Sequence, residues 1–136
     1  MIYYNHFLQT SEVLHRGSYL GYEYMCLNIG PYPTAYVAIP KGKPFYKVVL
    51  CEEVTIDCHG DCTFVNWGHP RGFDKSFKVI GWDYGHYYDF NGMQYNSLLG
   101  EHLHPKRKWS TPRIVSDCKK FIRSLHVTDN WKSVYI

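Results

Sequence analysis

Near the C-terminus Ile114, Val115, Cys118, Phe121, Ile122 and Leu125 recur at steps of three and four, with Lys119, Lys120 and Arg123 falling between them. That period gathers the apolar side chains on one face of an α-helix and the cations on the other. Thr111 supplies an N-cap, and Pro112 suits the first helical position, where its missing N–H costs nothing. A lone two-faced helix gains most of its stability by burying its apolar stripe on a partner. Everything upstream reads as strand or loop, so the partner must be a sheet. The expected class is α+β: an antiparallel, hairpin-rich sheet with one C-terminal amphipathic helix packed on it.

The strands follow from β-branched and aromatic runs bounded by glycine and proline. Tyr19 to Ile29 reads as a strand, Gly30-Pro31-Tyr32-Pro33 reverses the chain, and Thr34 to Ile39 is the return partner. Pro40 to Pro44 is a breaker loop. Val48 to Asp57 is β-rich, and the Gly60-Asp61 pair before Thr63-Phe64-Val65 predicts a hairpin turn at His59. Trp67 to Lys75 reads as a loop, and Val79 to Trp82 as a buried strand. At the N-terminus Ile2, Tyr4, His6 and Leu8 alternate as in a strand, and Thr10-Ser11-Glu12 suits the start of a helical turn. Phe90 to Trp109 is irregular, which in a compact chain points to function or mobility. Thr128 to Ile136 reads as a terminal strand or a frayed end. The chain shows neither repeats nor a linker, so its 136 residues (1–136) form a single domain.

The sites begin where that buried strand ends. Asp83, His86 and Asp89 follow at intervals of three, a spacing that aligns them on a tight turn. Gly85 eases such a turn, because it tolerates backbone angles other residues avoid. With His59 they make a pocket of imidazole and carboxylate, a donor set that suits a divalent Zn, Mn or Fe ion. His59, Asp83, His86 and Asp89 are then the candidate metal ligands. His59, Asp83 and His86 would be the catalytic set if water is activated for phosphoester hydrolysis. The other reading is a polar network that ties the hairpin to the strand end. Cys58 and Cys62 flank His59, but no second cysteine pair completes a zinc knuckle, and among β-branched neighbours they act as small hydrophobes.

A third cluster, His102, His104, Lys106, Arg107, Lys108 and Arg113, surrounds the helix start, where backbone N–H groups and the dipole favour an anion. Tyr84, Tyr87, Tyr88, Phe90 and Tyr95 lie upstream and are suited to stacking on bases. The other reading is a solvated basic loop. Aromatic residues make up 18% of the chain, which serves cores and binding surfaces alike, while the net charge of +3 is too small to argue for nucleic acid on its own. There is no P-loop, dinucleotide fingerprint or nucleophile elbow. Five cysteines, an odd number, and the lack of a signal-like apolar stretch after Met1 predict a reducing, cytoplasmic setting with no membrane partner.

Three stretches resemble a family of small uncharacterised bacteriophage proteins. Tyr36-Val37-Ala38-Ile39-Pro40, Asp57-Cys58-His59-Gly60-Asp61-Cys62-Thr63-Phe64 and Gly81-Trp82-Asp83-Tyr84-Gly85-His86-Tyr87-Tyr88-Asp89 follow the order of its "GYVxxPxGHP", "VHGGLTY" and "GFDCxHxxD" motifs. The resemblance implies a viral source, hence a host-cell cytoplasm, and marks His59, Gly60, Thr63, Asp83, His86 and Asp89 as the polar positions. Cys58, Asp61 and Cys62 depart from the pattern, which has Val, Gly and Leu there.

The expected function is binding of a phosphate-containing ligand, a nucleotide signal or nucleic acid, so as to interfere with host defence. His59, Thr63, Asp83, His86, Tyr87, Tyr88, Asp89, Lys106, Arg107 and Lys108 are the expected contacts. Two alternatives stay open: a metal-dependent phosphoester hydrolase at the same pocket, and a protein-blocking inhibitor of a host defence complex that uses its aromatic surface.

Overall fold

The computed structural model describes residues 11–30, 32–85 and 109–135, with side chains as far as Asn130. Among the described residues five strands form one antiparallel sheet in the order β1-β2-β3-β5-β4. They are β1 (Glu12–Tyr19), β2 (Tyr22–Asn28), β3 (Pro33–Ile39), β4 (Phe64–His69) and β5 (Phe73–Asp83), followed by the helix α1 (Thr111–Tyr135). The α+β expectation holds: an open antiparallel sheet with one C-terminal helix packed on it.

Alternation along each strand sends one set of side chains toward α1. Tyr22, Tyr24 and Cys26 of β2, Ala35, Val37 and Ile39 of β3, and Ile80 and Trp82 of β5 meet Ile114, Cys118, Phe121, Ile122 and Leu125 of α1 in the main core. The helical stripe is the one that the spacing predicts, and the ring centroids of Trp82 and Phe121 are 5.1 Å apart. Each such side chain contributes on the order of 1.5–3 kcal/mol by leaving water. Met25, Leu27, Tyr36, Ala38, Phe64, Phe73 and Val79 form a second buried cluster on the sheet's other face.

Several expected elements fall differently. Glu12 opens strand β1 and not a helical turn, because Glu12 to Tyr19 pairs with β2 from Asn28 to Tyr22. The β-rich stretch Val48 to Asp57 forms no strand; it contains a single 3-10 turn, Cys51–Glu53. Its apolar residues serve another purpose. Val48, Val54 and Ile56, with Phe45 and Tyr46, fill the main core beside α1, so the covering layer is a helix plus an irregular segment. The expected Trp67 to Lys75 loop shrinks to a turn at Pro70–Gly72, because Trp67–His69 belongs to β4 and Phe73–Lys75 to β5. Ser110 takes the capping position assigned to Thr111: its carbonyl accepts from the amides of Arg113 and Ile114, both at 3.1 Å. The stretch from Thr128 continues the helix to Tyr135, neither strand nor frayed end. The alternating stretch Ile2 to Leu8 and the irregular stretch from Phe90 to Lys108 lie outside the described residues.

Candidate functional site

Strand β5 carries two different environments on the side that faces α1. The first lies at its C-terminal end. Cys58 to Asp61 makes a tight turn, closed by the Asp61 amide on the Cys58 carbonyl at 3.1 Å, with Gly60 at φ +65° as its third residue demands. Only the residues after it are a strand, so the turn joins an irregular segment to β4 instead of closing a hairpin. It presses the His59 ring flat on Tyr84 (centroids 4.4 Å apart, planes at 15°) and edge-on against Trp109 at 4.6 Å.

Tyr84 is fully buried, and its hydroxyl links β5 to α1. It accepts from Trp82 Nε1 at 3.1 Å and donates to Asp117 Oδ2 at 2.6 Å. Burial, and then the Asp117 hydrogen bond, push the phenol far above its ordinary range, so Tyr84 remains a protonated donor and cannot act as a base. Asp83, one residue earlier, turns its carboxylate onto the Gly85 amide at 3.0 Å. Its charge adds to burial in raising the Tyr32 phenol. Gly85 is needed for room and not for backbone angle: a Cβ there would sit 2.6 Å from the Tyr32 ring.

This strand end is rich in acid. Asp83 and Asp117 adjoin Tyr84, and the charges of Asp61 and Asp57 help burial push the Cys58 thiol up to about 12. Among the described residues no three His, Cys, Asp or Glu side chains come together in a way that would hold a metal ion. The described groups supply stacking, one neutral phenol and carboxylates, an environment that repels a phosphate on its own.

The second environment lies near Ser76 and Lys78, where the segment Lys41–Lys47 folds over the sheet. Lys41, Lys43, Phe45, Tyr46, Lys47 and Glu53 line a concavity of about 790 Å³. Its walls are fixed on three sides. Lys43 reaches Asp129 of α1 at 3.0 Å, Tyr46 donates to the Ser76 carbonyl at 2.9 Å, and Tyr46 packs edge-on against Trp67 at 5.0 Å. Glu53 holds the rim by accepting from the amides of Val49 and Leu50, each at 2.9 Å. Beneath it the buried Lys78 donates to the Val48 carbonyl and lies 3.8 Å from the centre of the Trp67 ring. Burial lowers the Lys78 pKa. Lys41 and Lys47 are exposed and form no ion pair among the described residues.

The spacing between the two environments can be read twice. Lys78 on β5 and Tyr84, the residue just past its end, are six residues apart, about 20 Å at strand rise. Asp129 and Asp117 are twelve apart on α1, about 18 Å at helical rise. The same two elements therefore anchor both places.

Of the residues singled out in the sequence, His59 and Asp83 come to the same strand end, and Thr63 lies exposed beside them with its amide on the Gly81 carbonyl at 2.9 Å. Cys58 and Cys62 are half-buried, unbridged and packed against the main core. His86, Tyr87, Tyr88, Asp89, Lys106, Arg107 and Lys108 lie outside the described residues. The lysine loop was missed, because Pro40-Lys41-Gly42-Lys43-Pro44 reads first as a chain breaker. The signal was there: three lysines interleaved with Phe45 and Tyr46 between Lys41 and Lys47. Among the described residues, no helix is long and apolar enough to cross a membrane. No family model matches the chain, and no curated protein or solved structure matches it either.

Proposed function

We propose that this protein is a binding module for a phosphate-bearing ligand, with the phosphate seated in the lysine loop. The observation that carries the reading is the concavity itself: Lys41 and Lys47 unpaired among the described residues at its edge, Phe45 and Tyr46 in its wall. A volume of about 790 Å³ falls in the range of small-molecule pockets. Amines there attract the phosphate, and the aromatic wall suits a base or another flat apolar group. Fixing the walls through Asp129, Ser76 and Trp67 lowers the ordering cost of binding. The lysines and aromatic rings suit a nucleotide signal or nucleic acid as the ligand, and with the viral source that the motif resemblance implies, its capture would interfere with host defence.

Titration calorimetry of the full chain with inorganic phosphate, a nucleoside triphosphate and a short single-stranded oligonucleotide tests this. Saturable binding that weakens with salt and leaves the ligand intact is expected. Indifference to all three at low salt would overturn it. Ligand turnover that stops in chelator would move the function to the hydrolase reading at His59 and Asp83. A second reading, the protein-blocking inhibitor, is favoured by Val49, Leu50 and Trp67, which stand 72%, 56% and 43% exposed. It requires tight binding to one host protein, unaffected by any phosphate compound.

A further inference from the structure

The cysteines divide into two settings, neither of which the binding reading uses. Cys26 of β2 and Cys118 of α1 are fully buried and adjoin one another inside the main core. Cys51, Cys58 and Cys62 are half-buried on the segment that runs from the rim of the lysine loop past His59 to the start of β4. Within that second group Cys62 Sγ donates to Cys51 Sγ at 2.7 Å. Two sulfurs normally touch at about 3.6 Å, so this pair is already inside that contact and needs under about 1 Å of movement to bond at about 2.05 Å. Cys58 lies close to both: the Cys51 charge adds to burial in raising the Cys58 thiol, and Cys58 in turn adds to burial in raising the Cys62 thiol.

We propose that Cys51 and Cys62 are a reversible oxidation site, closed by a low-molecular-weight disulfide such as oxidised glutathione. The Cys51 thiol loses its proton and attacks one sulfur of the oxidant. A mixed disulfide forms and the first small thiolate leaves. The Cys62 thiol then loses its proton and attacks the Cys51 sulfur, releasing the second small thiolate. The two protein thiol protons end on the two released thiols: two protein S–H groups are oxidised to one S–S bond, and one small disulfide is reduced to two thiols. Excess small thiol runs the same steps backwards.

The choice among five cysteines follows from accessibility and geometry together. Cys26 and Cys118 are 0% exposed, so the oxidant cannot reach them without unfolding. Cys58 is reachable, but the sulfur contact is between Cys51 and Cys62. The bond would close a ring over the ten residues between them, His59 and Glu53 included, and so hold the segment joining both environments on β5.

The test equilibrates the full-length native protein with oxidised and reduced glutathione, quenches with an alkylating reagent in denaturant, and maps peptides by mass spectrometry. The expected product has lost two hydrogens, takes up three alkyl groups instead of five, and yields a peptide linking Cys51 to Cys62. It should melt several degrees higher than the reduced protein, and Cys51→Ser should show neither the link nor the shift, while Cys58→Ser keeps both. Five alkylated cysteines throughout, glutathione left attached to a single cysteine, or a link through Cys58 or between Cys26 and Cys118 would each overturn the proposal. The peptide map is made on the unaltered chain, so the result does not depend on any variant folding.

Discussion

Around Ser76 and Lys78 strand β5 meets lysines and an open concavity; around Asp83 and Tyr84, about 20 Å further along, it meets carboxylates and stacked rings. Helix α1 serves both places with an aspartate, yet the two aspartates do opposite work. Asp129 neutralises Lys43 on the outside of the cationic loop, and Asp117 accepts a hydrogen bond from a buried phenol. The contrast lies in what the described polar groups already hold at each place. At the strand end the polar groups are spent on one another: Trp82, Tyr84 and Asp117 form a closed chain with His59 lying across it. At the lysine loop two charges remain unspent among the described residues.

The largest expected effect strikes the frame that both places share. Phe121→Ala removes a fully buried ring from against Trp82 and should cost about 3–5 kcal/mol in denaturant unfolding. A loss below about 1 kcal/mol would show that α1 does not anchor the two places. Next comes pH. On the sheet's other face burial, and then Arg71, lower the His69 pKa to about 4, against an ordinary value of 6.5. The folded state stays neutral where the unfolded chain takes a proton, so its contribution is full above pH 6.5 and is lost as pH falls toward 4. That amounts to about 3 kcal/mol, measurable as a decline in unfolding free energy across this window that His69→Phe should flatten. Were His59→Phe to flatten it instead, the strand end would be the pH-responsive region.

A smaller effect distinguishes the two environments directly. Tyr84→Phe leaves the Asp117 carboxylate and the Trp82 N–H without their shared partner, and should cost about 1–3 kcal/mol while leaving phosphate affinity unchanged. Lys43→Ala breaks a half-exposed ion pair and should cost no more than about 1 kcal/mol by the same melt. A Tyr84→Phe protein that melts normally but no longer binds phosphate would reverse the assignment.

How much of this was legible follows from the kind of signal each part leaves. The α1 stripe from Ile114 to Leu125 and the β2–β3 pair were readable because their periods match their burial. Val48 to Asp57 misled because β-branched residues also suit a segment that plugs a core beside a helix: Val54 and Ile56 alternate with exposed neighbours, as in a strand, yet no ladder pairs them. β1 was obscured by Thr10-Ser11-Glu12, a helix-start signature that pairing with β2 overrides. At the candidate site His59 does meet Tyr84, next to Asp83, but His86 and Asp89 of the expected pocket lie outside the described residues. The stack with Trp109 was not legible, since nothing in a sequence marks which ring will reach across fifty residues. The lysine loop left a compositional trace that its prolines and glycine masked.

The central claim is that the phosphate belongs to the lysine loop and not to the strand end. The most direct measurement is affinity for a nucleoside triphosphate by calorimetry, on the Lys41→Ala/Lys47→Ala double variant and on His59→Ala, each with its melting temperature. The double variant should lose tenfold or more in affinity, about 1.4 kcal/mol or above, with its melt unchanged, and His59→Ala should bind within a factor of two or three of the original chain. Full affinity in the lysine variant together with loss of binding in a stably folded His59→Ala protein would contradict the account and return the ligand to the end of β5.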